Sequence, residues 1–219
     1  IKQSQAAAAG ITVNVVSLPP TVSVAEVAVA MSAEGEKADG IIIQFPFPHL
    51  STESLIPLIP KDKDVDVLGY DGTLTAVLPP VVGAIDFLAS TYQVIFEHKH
   101  VVVVGNGRLV GKPAAAYARA RGSVVTVLTK ENFTTAAVAT ADILILGAGV
   151  PNLIQPDMVK RGVVVFDAGT SEEGGQLVGD ANSAVAERAS LFTPVPRGIG
   201  PLTVAILLKN VLYLARQHR

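Results

Sequence analysis

Hydrophobic positions along the chain fall into short clusters separated by polar, glycine- and proline-bearing turns. Residues 11–17, Ile-Thr-Val-Asn-Val-Val-Ser, are rich in β-branched side chains and stop at Pro19-Pro20, which predicts a strand. Ser23, with Glu26 three positions on, predicts a capping box and a helix reaching about Ala30. Asp39-Gly40 leads into a second predicted strand at 41–43 that ends at Gln44. A helix between two apolar strands predicts a right-handed βαβ unit. Residues 45–75 are rich in Pro and Asp, and predict loop and short helix of the kind that carries binding residues.

A helix is predicted from Pro80 to about Tyr92, with Pro in its first turn and Ile85, Phe87 and Leu88 as its apolar positions. A more regular alternation follows: strand 101–104, helix 109–119, strand 124–128, helix 134–140, strands 143–146 and 163–166. Helix 181–189, a short strand at 191–192 and a last helix over 202–215 complete it. This alternation predicts an α/β protein with buried parallel sheet.

Composition narrows the function classes. Lys and Arg number 17 against 19 Asp and Glu, a net charge of -2, so no generally basic nucleic-acid surface is expected. The absence of Cys excludes disulfides, thiolate metal sites and cysteine nucleophiles. His49, His98, His100 and His218 are scattered, and Asp62 and Asp64 have no neighbouring His, so no metal is expected. The oily runs at 101–104 and 201–214 are short or interrupted by charge, so no membrane span is predicted. The chain opens on Ile1-Lys2 without a secretory pattern, which predicts that further residues precede Ile1.

The candidate chemistry begins at Gly105-Asn106-Gly107-Arg108-Leu109-Val110-Gly111, between a predicted strand and a predicted helix. Glycines permit a tight turn and close approach of backbone to phosphate, and a helix N-terminus supplies N–H donors. The alternative is a turn needed only for packing. The second strand ends Leu128-Thr129-Lys130-Glu131 rather than on the usual ribose-binding acid. Lys130 suits a 2′-phosphate and Glu131 a free ribose hydroxyl, so NADP and NAD both stay open.

Several segments together resemble the bifunctional methylenetetrahydrofolate dehydrogenase/cyclohydrolase family. They are Gly40 to Pro48, Asp62-Lys63-Asp64-Val65-Asp66, Gly105 to Pro113, and Gly147-Ala148-Gly149-Val150-Pro151-Asn152. Asp167-Ala168-Gly169, Gly179-Asp180 and Thr193 to Ala205 continue the series. The resemblance implies two α/β domains: a folate-binding catalytic domain, here 1–92 plus 200–219, and a Rossmann-like NAD(P)-binding domain, 93–199. The C-terminal helix returns to the first domain, whose opening strand, helix and substrate-facing Tyr would precede Ile1.

The same resemblance implies oxidation of 5,10-methylenetetrahydrofolate by NADP, with NAD as the other possibility. Hydrolysis of the methenyl product to 10-formyltetrahydrofolate follows. It assigns Lys2 as acid/base, Gln44 as the amide that orients it, and Asp66 as the carboxylate for the pterin edge. A lysine suits this role once burial or nearby positive charge favours its neutral form, and the methenyl substrate carries that charge. Cofactor contacts are implied at Gly105, Asn106, Gly107, Arg108, Gly111, Lys130, Glu131, Gly147, Gly149 and Thr170. Substrate contacts are implied at Asp66, Pro196, Arg197, Gly198, Gly200, Pro201 and Thr203, with 194–201 as a shaped loop and Thr203 opening the last helix. A cytoplasmic homodimer in one-carbon metabolism, acting on tetrahydrofolate derivatives without nucleic acid or membrane, completes the implied picture.

Four departures qualify it. Leu78-Pro79-Pro80-Val81 replaces a Pro-Cys-Thr-Pro-like segment, and Asn106-Gly107 stands where the family often has Arg-Ser. Glu131 replaces an expected basic residue, and Arg197 interrupts a Pro-Gly-Gly-Val-Gly-Pro loop. The second and third weaken the case for a 2′-phosphate. Lys2, Gln44 and Asp66 remain, so a divergent active enzyme is expected. The competing readings are a shikimate-like NAD(P)-dependent dehydrogenase and a folate-binding homologue with weak or no catalysis.

Overall fold

The computed structural model describes residues 2–217; Ile1, His218 and Arg219 lie outside them. Contacts divide the chain into two compact units, one reaching from its start to Gly69 and resuming at Val204, the other Tyr70–Thr203.

The first unit is mostly helix and loop. Helix α1 (Lys2–Ala8), absent from the sequence reading, is rich in Ala, the strongest helix former, and buries Ala6. The strand expected at 11–17 does not form: Val13, Val15 and Val16 are 45%, 65% and 50% exposed, and the segment is irregular. β-branched residues favour a strand only when a neighbouring strand supplies ladder bonds and packing, and among the described residues none does so. Helix α2 (Val24–Gly35) starts on the expected capping box: Ser23 Oγ accepts from Glu26 N–H, and Glu26 Oε2 accepts from Ser23 N–H at 2.8 Å. It runs past Ala30, and Lys63 Nζ donates to the Gly35 carbonyl at 2.6 Å near its C-terminus, where a cation is favoured.

The second strand expected here, 41–43, shrinks to one parallel bridge between Ile41 and Asp64, carried by Ile41 N–H donating to the Lys63 carbonyl at 2.7 Å. The predicted βαβ unit is therefore not formed in the described residues. Helix α3 (Thr52–Leu55) is capped by Ser51. Val22, Val27, Ile43, Leu55 and Ile59 form the core of this unit.

The second unit opens with α4 (Pro80–Thr91), which carries Pro in its first turn as expected. Strand β1 (His100–Val104), helix α5 (Gly111–Ala120), strand β2 (Val124–Leu128), helix α6 (Thr135–Ala139) and strand β3 (Ile143–Leu146) follow. Strand β4 (Val163–Asp167) precedes a hairpin, β5 (Ser171–Glu173) and β6 (Gln176–Val178), that turns on Gly174-Gly175. Strand β7 (Ala189–Phe192) completes a parallel sheet of order β2-β1-β3-β4-β7. Residues 101–104 and 143–146 are buried throughout, which is why they read as unbroken apolar runs. The helix expected over 181–189 is only a 3₁₀ segment, Ser183–Glu187. Ala181 N–H is already committed to Asp167 Oδ2, and Asn182 caps the shorter segment through Ala184 N–H.

Helix α7 (Ile199–Gln217) starts three residues earlier than expected, so it is long and apolar enough by length and composition to cross a membrane. In the first unit its buried Asn210 donates to the Val65 carbonyl at 3.0 Å, and Leu207 and Leu214 are buried beside it.

Candidate functional site

Two clusters carry the candidate chemistry, one in each unit. In the first, Lys2 on the opening turn of α1 donates from Nζ to Gln44 Oε1 at 3.3 Å, across 42 positions of sequence. Gln44 Nε2 in turn donates to the Phe45 carbonyl at 3.2 Å, which fixes the amide so that its oxygen faces the lysine. Asp66 is the third member. Burial pushes its carboxyl above the ordinary range, the charge of Lys2 opposes that shift and the neighbouring Asp64 adds to it.

Asp64 holds the turn that presents Asp66. Its Oδ2 accepts from Leu68 N–H at 2.8 Å, and Val67 takes a positive φ of 52° to let the chain fold around it. Burial raises the Asp64 carboxyl too, against the pull of the N–H groups around it. The charged run at 62–66 is thus not a uniform solvated stretch: Asp62 is exposed, while Asp64 and Asp66 are both half-buried and Asp64 shapes the backbone.

In the second unit the glycines sort by what surrounds them. A Cβ on Gly105 would lie 2.4 Å from the Gly147 carbonyl oxygen, one on Gly111 2.1 Å from the Gly105 oxygen, and one on Gly147 2.4 Å from Val110 Cγ1. These three lock the end of β1, the start of α5 and the end of β3 together. Gly107 and Gly149 are different, for a Cβ there would meet nothing within 4 Å. β2 lies on one side of β1 and β3 on the other, so the sheet order reverses between β1 and β3. In parallel α/β sheets, ligands bind beyond the carboxyl ends of strands at such a switch point. Open space at Gly107 and Gly149, and the N-terminus of α5 between the two turns, fit a dinucleotide pyrophosphate.

Asn106 and Gly107 are exposed and Arg108 is half-buried on the same turn. Lys130 and Glu131 are exposed on the turn after β2, next to the β1 turn, where Gly105 N–H donates to the Leu128 carbonyl at 2.8 Å. Glu131 Oε2 accepts from the Thr129 hydroxyl, which holds its carboxyl below the ordinary range. Thr170 is exposed between β4 and the hairpin. Beyond β7, Pro196 and Arg197 are exposed, Arg197 has a positive φ of 81°, and Gly198 packs so tightly that a Cβ would lie 2.3 Å from the Pro194 oxygen. Because α7 begins at Ile199, Gly200 and Pro201 sit in its first turn rather than in a loop. Thr203 lies within the helix instead of opening it, and its hydroxyl donates to the Ile199 carbonyl at 3.1 Å.

Sequence reasoning gave no role to two aspartates at the same sheet edge. Asp167 and Asp180 are 1% and 0% exposed. Asp180 accepts three backbone N–H groups, from Ala148 at 2.6 Å, Gly149 at 3.2 Å and Val150 at 2.8 Å. Asp167 accepts from Gly169, Asp180 and Ala181 at 2.9, 3.2 and 2.9 Å. The signal in the sequence was the glycine beside each: a Cβ on Gly169 or Gly179 would come within 2.2 Å of the other carboxyl group's atoms.

With this geometry in place, the comparisons are specific. A family model for the tetrahydrofolate dehydrogenase/cyclohydrolase NAD(P)-binding domain matches residues 79–219. The bifunctional protein FolD of Sulfurovum sp. is 38% identical over 92% of this chain and 76% of its own length. The chain belongs to the tetrahydrofolate dehydrogenase/cyclohydrolase family. The FolD protein of Hydrogenobaculum sp. is 40% identical over 84% of the chain and 70% of its own length. Among solved structures, the bifunctional FolD enzyme of Campylobacter jejuni matches with TM-score 0.93, 31% identity, and coverage of 100% of this chain and 82% of the other. The Trypanosoma brucei methylenetetrahydrofolate dehydrogenase-cyclohydrolase, solved with NADP and an inhibitor, matches with TM-score 0.88 and 31% identity over 99% of this chain and 80% of the other.

Proposed function

We propose that this chain oxidises 5,10-methylenetetrahydrofolate to the methenyl compound with NADP, or alternatively NAD, and hydrolyses that product to 10-formyltetrahydrofolate. The Lys2–Gln44 hydrogen bond, with Asp66 in the field of the same lysine, carries the reading. It joins three residues that have no local sequence relation and whose functional groups suit one reaction. The unit of 70–203 serves as the NAD(P)-binding part and the other as the folate-binding part.

A nicotinamide dinucleotide held at the turns of residues 105–111 and 147–149 would supply the acceptor for the hydride that leaves the methylene carbon. The chain's part in that step is alignment, which is a large share of catalysis when two reactants must meet in one geometry. Asp66 accepts paired hydrogen bonds from the amino-pyrimidine edge of the pterin, and so fixes the carbon relative to Lys2. In the hydrolysis, water adds to the methenyl carbon and gives one proton to Lys2. The hydroxyl proton of the adduct then moves to the departing ring nitrogen as its bond to carbon breaks, leaving the formyl group, and one proton is released overall. Gln44 keeps the Lys2 amine aimed at the reacting carbon. Glu131 on the turn after β2 favours a free ribose hydroxyl over a 2′-phosphate, and is the reason NAD stays beside NADP.

Lys2→Ala is the direct test. Methenyl hydrolysis is expected to fall by ~10²–10⁴-fold, the usual worth of a positioned acid/base. The melting temperature should hold, because Lys2 is exposed. Unchanged hydrolysis in the folded variant removes Lys2 from the mechanism.

A further inference from the structure

The β3 turn that borders the dinucleotide crevice is held from below by a chain of buried contacts. Thr193 Oγ1 accepts from Asp167 N–H at 2.7 Å, Asp167 accepts from Asp180 N–H, and Asp180 accepts from the N–H groups of 148–150. The turn in turn touches the phosphate loop: the position a Cβ would occupy on Gly105 is 2.4 Å from Gly147 O and 2.9 Å from Ala148 N. Residues 148–150 are themselves exposed and have no regular secondary structure. All three of their N–H groups end on the one carboxylate beneath them, and the Val150 carbonyl accepts from Leu153 N–H at 3.3 Å.

We propose that Asp180, seated on Asp167, is a positioning residue for dinucleotide binding: it fixes the main chain of 148–150 in the form that receives the nicotinamide end of the cofactor. The inference rests on the NAD(P)-dependent reading given above. A carboxylate is required because all three incoming groups are donors. Oδ2 takes Ala148 and Gly149, and Oδ1 takes Val150. An amide must turn an N–H₂ group toward at least one of them. A neutral apolar residue of similar size would leave all three N–H groups without a partner.

Asp180→Asn in the full chain is the test, read by titration with NADP and NAD and by the rate of methenyl hydrolysis, which consumes no dinucleotide. The dinucleotide Kd is expected to rise ten-fold or more, several times the change in hydrolysis rate. A Kd within two-fold of wild type overturns the proposal. So does an equal loss of hydrolysis and affinity, which marks a merely structural aspartate. Wild-type protein that binds neither dinucleotide defeats the functional reading itself, an outcome separate from wild-type binding with an unaffected variant. Amide hydrogen exchange on the wild type decides the matter even if the variant does not fold. The amides of Ala148, Gly149 and Val150 should exchange at least ten-fold more slowly than those of other exposed loop residues, and exchange at open-loop rates overturns the proposal.

Discussion

The two compact units reach order by different routes. The second has five parallel strands, with one register shift between β4 and β7, and its binding turns are fixed by glycines packed against backbone and by buried carboxylates. Among the described residues the first has one isolated bridge, an irregular segment with three exposed valines, and a core centred on Val22, Val27, Ile43, Leu55 and Ile59. Its candidate catalytic groups are side chains converging from α1, from the turn after Ile43 and from the 62–66 run, and two of them, Lys2 and Gln44, are exposed. The lesson is that the dinucleotide side is shaped by main chain that cannot easily be elsewhere. The candidate catalytic side is shaped by side chains brought together from three separate segments. Perturbing one backbone atom should therefore be severe in the second unit, while the first should respond chiefly in rate.

The strongest way to break that contrast is Gly111→Ala. Its Cβ would sit 2.1 Å from the Gly105 oxygen and 2.7 Å from the Gly105 carbonyl carbon, both backbone atoms. Either α5 moves away from the β1 turn or the turn is rebuilt. Overpacking of this kind costs about 3 kcal/mol, and detectable dinucleotide binding should disappear with it. Gly107→Ala is the paired control, since a methyl group there meets open space. Its stability should stay within about 0.5 kcal/mol of wild type, while dinucleotide affinity falls because the methyl occupies room the ligand needs. Urea midpoints and dinucleotide titrations on both variants measure the two effects; a Gly111→Ala protein as stable as wild type would show that packing does not set the turn.

A second test asks whether the buried tie in that unit favours or opposes folding. Burial raises the Asp167 carboxyl to about 6, Asp180 adds to the shift, and the N–H groups of Ala181, Asp180 and Gly169 pull against it. The folded chain then holds this proton more tightly than the unfolded chain. Its contribution is most favourable below about pH 4 and is lost as pH rises through about 6, where the folded-state carboxyl is half ionised. The full difference corresponds to about 3 kcal/mol. Asp167→Asn cannot titrate at that position, so the stability of wild type minus that of the variant should fall by about 2 kcal/mol between pH 4 and pH 6.5. Groups that do not interact with Asp167 titrate alike in both proteins and cancel; Asp180, coupled to it, contributes to the difference. A difference that stays flat with pH means that Asp167 is ionised throughout and the shift is absent.

How much of this was readable in advance follows from where each element's stabilisation comes from. Residues 101–104 and 143–146 are covered on both faces, so burial wrote an apolar run into the sequence that could be read without a partner. Residues 11–17 have a comparable run of β-branched side chains but no ladder, and composition alone cannot distinguish the two cases. The β5–β6 hairpin was missed because Ser171-Glu172-Glu173 is polar and short, and only Gly174-Gly175 marks the turn. Lys2, Gln44 and Asp66 became a group through the family resemblance, for nothing in local spacing links positions so far apart. The Asp167–Asp180 tie was invisible for another reason: most of its partners are backbone N–H groups, which every residue but proline carries.

The smallest effect concerns Arg197, the residue that departs from the family's glycine-rich loop. It takes φ of 81°, a conformation that costs an ordinary side chain about 1–2 kcal/mol. Glycine adopts it freely but loses about 0.5–1 kcal/mol more conformational entropy on folding. Arg197→Gly should therefore gain on balance up to about 1 kcal/mol of stability, seen as a melting temperature higher by ~2–4 °C. If the strain is retained for a cationic side chain that meets the anionic tail of the folate, the same variant should show a higher KM for methylenetetrahydrofolate at nearly unchanged kcat. A rise in both melting temperature and KM would make Arg197 a place where the second unit gives up backbone comfort for a side-chain contact. A lower melting temperature would show instead that the guanidinium group stabilises the loop by more than its φ costs.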